Sequence, residues 1–295
     1  MSRFVCFGEV LWDVFPDAEK IGGAPLNVAL RLKSFDNEVA IISGIGKDEY
    51  GQRLQSFLEE RDLSIDHLLI HEELETGKVM VHLDEKGSAS YTINFPAAWD
   101  FIKSTSENEA MVKSADALIF GSLVMRHEVS RDSLLKLIDS SNYNIFDVNL
   151  RPPHYSIDFL AETIERSNFV KFNDDEILEI GAALGCKETD LVELIKFFVQ
   201  KFKLETVCVT RGDKGAILFH ENEFFEHSGF PVTVMDTVGA GDSFLATLIN
   251  GLFEGISPSL ALEKACAVGA MVASSEGANP LLTKKQIDQF IKSYD

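Results

Sequence analysis

In the stretch Asp236-Thr237-Val238-Gly239-Ala240-Gly241-Asp242-Ser243-Phe244, three small residues stand between two aspartates, and an apolar helical pattern begins at Phe244. A helix start leaves backbone N–H groups unpaired and carries partial positive charge. Gly239, Ala240 and Gly241 would let an anion approach that backbone, so the turn reads as an anion cradle. On the glycines alone, a tight turn that relieves strain is the better account. Asp242 changes the weighing. Its carboxylate would repel an anion held in the cradle, and the dipole's benefit of roughly 0.3–1 kcal/mol does not readily outweigh that. The conflict disappears if Asp242 faces the other reactant and accepts a proton from a neutral hydroxyl attacking a phosphorus atom in the cradle. That is phosphoryl transfer, with base and oxyanion donors in one turn. A capping carboxylate is the competing account of Asp242.

Other residue types fit such chemistry less specifically. Gly22 and Gly23 permit close backbone approach, or simply form a flexible turn before Pro25; Asn27 both donates and accepts. Asp13 stands shortly after the first apolar run, where an aspartate ordinarily solvates a loop. Arg151 precedes two prolines, a rigid setting that favours a role over a surface ion pair. Asn173 and Glu176 are three apart and share a helix face, although an acidic helix start is common without any function. Thr210, Gly212 and Gly215, in TRGDKG, read as an ordinary hairpin turn.

The elements that must position these residues alternate along the chain. Apolar runs at 3–8, 38–45, 116–121, 144–149, 168–172 and 205–210 are expected to be buried strands, with a further strand at 215–220 after TRGDKG. Amphipathic stretches at 24–34, 49–62, 129–140, 157–166 and 174–203 predict helices between them. This alternation predicts a mainly parallel sheet covered by helices. The last third is more helical: 244, 245, 248, 249, 252 and 253 form one apolar stripe, Ser257-Pro258 opens a helix, and Thr283 with Gln286 is a capping-box pattern. Residues 78–84 and 89–95 instead alternate with a period of two around Glu85-Lys86-Gly87-Ser88, a hairpin signal. The expectation is one domain over 1–295 with a small β-sheet lid from about 10–17 and 76–98, and a homodimer through the exposed face of the lid.

Composition narrows the function. The 295 residues include 47 acidic and 27 basic ones, a net charge of −20. That argues against nucleic acid or an anionic membrane as partner, because affinity for either rests on Lys and Arg. An anionic ligand would have to be held locally, by backbone N–H groups, a few cations or a metal ion. The four cysteines, at 6, 186, 208 and 266, have no close spacing and read as reduced thiols. No signal-peptide pattern opens the chain, and no apolar run reaches the roughly 20 residues a membrane helix needs, so a cytoplasmic protein is expected. A P-loop, a dinucleotide fingerprint after the first strand, a nucleophile elbow and an HExxH motif are all missing from the sequence. His67 and His71 are four apart but lack a third ligand in sequence.

DTVGAGDSF resembles the C-terminal signature of the ribokinase/PfkB family of sugar kinases, and GGAPLNVA at 22–29 resembles that family's sugar-binding signature in the form found in fructokinases. FDVNLRPP at 146–153, NDDE at 173–176 and TRGDKG at 210–215 also match, and all five segments occur in family order. The resemblance implies a ribokinase-like three-layer α/β/α sandwich with a lid, and ATP with Mg²⁺. It implies sugar contacts from Asp13, Gly22, Gly23, Asn27 and Arg151, with Phe95 either packing on a sugar face or anchoring the lid. It places Asn173, Thr210, Gly212 and Gly215 near the nucleotide phosphates, and gives Glu176 the organisation of Mg²⁺ through water. The small-residue segment 264–277 would let adenine lie flat or simply pack on the sheet. Some members hold K⁺ by backbone carbonyls, for which Asp236, Val238 and Gly277 stand in suitable places. Fructose is the expected substrate. The alternatives are 2-keto-3-deoxygluconate or another unphosphorylated sugar, and, in different classes, a catalytically silent sugar- or nucleotide-binding regulator and a nicotinamide-dependent oxidoreductase.

Overall fold

The computed structural model describes residues 1–83 and 89–294. The predicted link Glu85-Lys86-Gly87-Ser88 lies outside the described residues. In chain order the strands are β1 (Arg3–Phe7), β2 (Leu11–Val14), β3 (Glu19–Gly22), β4 (Glu38–Gly46), β5 (Leu68–His71), β6 (Gly77–Leu83), β7 (Ala89–Ile93), β8 (Ala117–Gly121), β9 (Asn144–Asp147), β10 (Phe169–Asn173), β11 (Thr206–Thr210), β12 (Ala216–His220) and β13 (Glu223–His227). The α-helices are α1 (Ala24–Lys33), α2 (Glu49–Glu60), α3 (Ser106–Ser114), α4 (Glu128–Ser140), α5 (Ile157–Glu165), α6 (Asp174–Ala183), α7 (Leu191–Phe202), α8 (Ala240–Phe253), α9 (Pro258–Ala273) and α10 (Lys284–Lys292).

The large sheet runs β13-β12-β11-β10-β9-β8-β1-β4-β5, parallel from β11 to β5 and antiparallel only where β12 and β13 close one edge. Its central strands are apolar on both faces, and the alternation along β1 shows why. Phe4 and Cys6 join a core packed by α1, α8 and α9, while Val5 and Phe7 join a second core packed by α4, α5, α6 and α7. Two cores on opposite faces of one sheet make the three-layer α/β/α sandwich expected from the run-and-helix alternation.

The second sheet, β3-β2-β6-β7, is the lid. Its hairpin β6–β7 is antiparallel, as the alternating pattern predicts, and β2 adds to it in parallel. The lid takes a further strand, β3, which the sequence reading did not include; it pairs antiparallel with β2. Asp48 fastens the base of the lid. Its carboxylate caps α2 at Gly51 N–H (2.8 Å) and accepts from both Thr76 N–H (2.8 Å) and Thr76 Oγ1 (2.7 Å), immediately before β6.

Three element assignments need correction. The segment 174–203 is two helices, α6 and α7, because the chain leaves the first through Gly185 at φ 87 and restarts at the Asp190 cap. Strands β5 and β13 carry exposed residues on much of their length, so neither shows the apolar run that marks a buried strand. All four cysteines are free, and Cys6, Cys208 and Cys266 are buried.

Candidate active site

The N-terminus of α8 opens on a cleft of about 580 Å³ at the carboxyl ends of the parallel strands, under the lid. This is where open α/β sheets bind ligands. Gly239 is the cap of α8 and takes φ 76; a Cβ there would lie 2.5 Å from the Ala278 Cβ, so both the turn and its neighbour demand glycine. The Ser243 N–H closes the first helical bond to the Gly239 carbonyl at 2.9 Å. Gly239 and Gly241 line the cleft, and among the described residues their N–H groups and that of Asp242 have no acceptor. Ala240 differs from the expected cradle: its N–H closes a turn on the Thr237 carbonyl at 3.3 Å, and it does not line the cleft. The free amides are therefore those of 239, 241 and 242.

Asp242 lines the same cleft. Its Oδ2 accepts from Asn27 Nδ2 at 2.7 Å, and Asn27 Oδ1 in turn accepts from Asn279 Nδ2 at 2.7 Å, which fixes the orientation of the amide. One turn later on α1, buried Arg31 donates to Ser243 Oγ (3.3 Å) and to the Pro280 carbonyl (2.9 Å), so α1 and α8 are tied at two successive levels. Burial pushes the Asp242 carboxyl up to about 6, reinforced by nearby Asp147 and opposed by the Asn27 hydrogen bond and the charges of Lys171 and Arg151.

Around this acid the structure gathers most of the predicted sugar-side residues. Asp13, Gly23, Asn27 and Arg151 all line the cleft. Burial raises Asp13 to about 6. Gly23, at φ 113, caps α1, and a Cβ there would collide with the Glu9 carbonyl. Gly22 lies behind the wall, where it leaves room for the Asp13 carboxylate. Arg151 borders the cleft from the loop after β9, and its Nη1 donates to the Leu150 carbonyl at 2.8 Å. Phe95 is not part of this wall. It is 58% exposed and its ring lies near Arg126 and His127, which favours the lid-anchoring account.

Of the residues expected near the nucleotide, together with the proposed metal organiser, Asn173, Glu176 and Thr210 reach the cleft. Asn173 and Glu176 form a reciprocal capping box on α6: Asn173 Oδ1 accepts from Glu176 N–H and Glu176 Oε2 from Asn173 N–H, each at 2.8 Å. The other Glu176 oxygen accepts from Leu150 N–H at 2.8 Å. Both carboxylate oxygens already serve backbone donors, so a cation beside Glu176 would be met through water, as Mg²⁺ prefers. Gly212 is exposed and Gly215 is packed beneath the backbone of His227–Gly229; neither borders the cleft. Asp236 Oδ1 accepts from Val238 N–H (3.0 Å), and its Oδ2 from Gly277 N–H and Lys20 Nζ (3.3 Å each). Residues 236, 238 and 277 thus meet through a carboxylate and amides, and Lys20 links the lid to the turn that precedes α8.

Four participants escaped the sequence reading. Lys171 of β10 lines the cleft and pairs with Asp147 of β9 at 2.8 Å, both side chains under a tenth exposed. Burial works to lower the lysine's pKa, but Asp147 and Glu176 outweigh it and raise it, so Lys171 is charged. Asp147 Oδ2 has no hydrogen-bond partner among the described residues. Among the described residues no three His, Cys, Asp or Glu side chains are grouped so as to hold a metal ion, so Asp147 and Glu176 stand as separate oxygen donors that suit a water-mediated Mg²⁺ rather than a carboxylate cage. Glu9, after β1, is 3% exposed with Oε2 likewise unpartnered, and burial pushes it up to about 7. Asn279 holds Asn27. The signal in each case is a lone polar letter inside an apolar or irregular run, and its partner is remote in sequence. His67, by contrast, contacts Asn108 Oδ1 at 3.2 Å. No helix among the described residues is long and apolar enough to cross a membrane.

With the geometry in view, the chain can be set beside known proteins. Residues 1–285 match the pfkB family carbohydrate kinase. A fructokinase of Vibrio alginolyticus is 27% identical over 314 aligned positions, covering 99% of each chain. A crystal structure of the fructokinase from Vibrio cholerae O395, in a form with fructose, ADP and calcium, superposes with a TM-score of 0.84 at 26% identity and 99% coverage of both chains. A double mutant of that enzyme with fructose, ADP and potassium gives 0.84 at 25% identity, covering 99% of this chain and 98% of that one.

Proposed function

The chain belongs to the pfkB family of carbohydrate kinases, and from that membership we propose that it transfers the γ-phosphoryl group of ATP to a primary hydroxyl of an unphosphorylated sugar, D-fructose first, giving fructose 6-phosphate. The observation that carries the reading is the Asp242 carboxylate on the cleft, oriented by Asn27 and standing at the same helix start as the free amides of 239 and 241. A carboxylate raised to about 6 is ionised at neutral pH and still basic enough to take a proton from an attacking alcohol. The free amides are set to stabilise charge on the transferred group, and Arg151 to do so from the sugar side. Asp13 accepts hydrogen bonds from sugar hydroxyls, and Gly23 and Asn27 keep the floor of the pocket close and polar. Mg²⁺, held near Glu176 and Asp147 through water, would neutralise nucleotide charge that this acidic cleft otherwise opposes. K⁺ beside the 236–238 turn belongs to the same reading, supported by the potassium-bound relative.

The fructokinase relatives support fructose over other sugars. The test is initial ADP release with ATP, Mg²⁺ and a panel of fructose, ribose, glucose, 2-keto-3-deoxygluconate and a nucleoside. Fructose should give the highest kcat/KM. A higher value for 2-keto-3-deoxygluconate would move the assignment to that acid, and no ADP release with any sugar would leave a non-catalytic binding protein.

A further inference from the structure

A second recess, of about 240 Å³, lies beside the catalytic cleft, against the loop that follows β9. Its walls come from Ser122, Met125 and Arg126 after β8, Arg131 on α4, and the segment from Pro153 into α5. Two arginines and a histidine line it, with no aspartate or glutamate, in a chain whose net charge is −20. We infer that this recess is a second, non-catalytic binding site for a small phosphate-bearing anion.

Three observations carry the inference. First, Arg126 is built in. Its side chain is 2% exposed, it lies 3.9 Å over the Trp99 ring, and its Nε and Nη2 grip Asp100 at 2.6 and 2.7 Å. Asp100 cancels its net charge, yet Nη1 has no partner among the described residues. A buried guanidinium donor left unmet is costly; Nη1 is shut off from solvent, so a small side-chain shift that brought it to an acceptor in the recess would relieve that cost. Second, the uncompensated charge belongs to Arg131. It sits 4.2 Å over the Phe159 ring, and its one acidic partner among the described residues, Asp132, is 4.0 Å away and mostly exposed. Its fork is held in place without a strong competitor for an oxyanion. Third, the recess abuts the N-terminus of α5, a nine-residue helix capped by Ser156. The capping serine meets Phe159 N–H and its carbonyl meets Leu160 N–H, while the amides of Ile157 and Asp158, residues just outside the lining, have no acceptor among the described residues.

Phosphate matches these donors, with acceptor oxygens enough for the Arg131 fork, the one spare Arg126 nitrogen and a helix end. The volume is below the ~300 Å³ at which drug-sized pockets begin, so the ligand is a small metabolite. Met125, Phe159 and Leu160 offer an apolar wall to a short carbon skeleton. The site is also wired to the cleft: Ser122 faces the recess while Leu123 faces the cleft, and His154 N–H donates to the Arg151 carbonyl at 2.8 Å. An occupant therefore presses on the loop that carries Arg151.

His154 reports occupancy, because burial and Arg126 together hold its pKa below the ordinary histidine value. The experiment follows the His154 ring resonances of the full chain, identified by their loss in His154→Gln. Inorganic phosphate, a hexose 6-phosphate, or sodium chloride at matched ionic strength is added. An anion in the recess should raise the His154 midpoint by about one pH unit. Chloride should leave it in place, and whichever phosphate saturates at lower concentration names the source. Arg131→Gln should weaken that response about tenfold, with kcat and KM for sugar phosphorylation unchanged. No shift with either phosphate, an equal shift with chloride, or an undiminished response in Arg131→Gln would each overturn the inference.

Discussion

The reaction proposed for this kinase rests on one carboxylate, and the physics that suits Asp242 to the proposed role of base also makes it a burden on stability. Its pKa rises from 3.8 to about 6 in the fold, so keeping it ionised at neutral pH costs about 3 kcal/mol. Asp242→Asn should therefore melt at higher temperature than wild type while kcat falls at least about a hundredfold and sugar and ATP still bind. Calorimetry beside steady-state kinetics checks both halves, and a near-normal kcat would end the base assignment. Since the ionised form acts, kcat/KM should climb with pH through about 6 and level off above it. The Asn27 hydrogen bond lowers the Asp242 pKa, so Asn27→Ala should move that limb to higher pH as well as slow the reaction. A slower enzyme with an unmoved limb would reduce Asn27 to packing. Asp242 could be read from sequence because base and amides are neighbours in one turn. Lys171 and Asp147 could not: each is a polar letter in a short buried strand with no partner nearby in sequence, and only the pairing of β9 with β10 joins them.

At the level of elements, the turn that opens α8 and its glycines separate two effects. Gly239 has both a positive φ and no room, its Cβ position lying 2.5 Å from Ala278, so Gly239→Ala should lose about 1–3 kcal/mol and most activity together. Gly241 sits within α8, where an added Cβ would find only Lys171 Nζ, at 3.8 Å. Gly241→Ala should fold as well as wild type yet raise KM, because its methyl projects where an anion must approach the backbone. Urea unfolding of both variants, set against their kinetics, tells turn geometry from ligand access. If Gly241→Ala is destabilised as severely as Gly239→Ala, the turn is only structural. The buried strands were legible because a parallel strand covered on both faces must be apolar throughout. Strands β5 and β13, at the two edges of the sheet, escape that demand and leave no run to read. The break between α6 and α7 hides for a related reason, since the polar linker after Gly185 continues the amphipathic character on either side.

Across the whole molecule, the cleft stores unfavourable charge. Glu9, Asp13 and Asp242 are raised by burial to about 7, 6 and 6. Between about pH 4 and 7 the folded chain therefore holds protons that the unfolded chain has released. The unfolded state binds fewer protons in that window, so stability falls as pH rises through it. Growing self-repulsion in a chain of net charge −20 acts in the same direction. Asp48, lowered despite burial by its bonds to Thr76 and Gly51, Glu19, lowered by its hydrogen bonds, and His71 and His154, lowered by burial, pull the other way, but the large shifts are those of the three cleft carboxylates. The urea midpoint of the ligand-free protein should thus be higher near pH 5 than near pH 7.5 at fixed ionic strength. The double variant Glu9→Gln, Asp242→Asn should flatten that slope. Its gain at pH 7.5 should be smaller than the sum of the single gains, because each charge raises the cost of the other. A midpoint that increases toward pH 7.5, or a slope untouched in the double variant, would mean that the cleft carboxylates are not carrying this load. The acidic composition that argued against anionic partners would then act only at the surface, and the proposed need for a cation alongside the nucleotide would lose its physical basis.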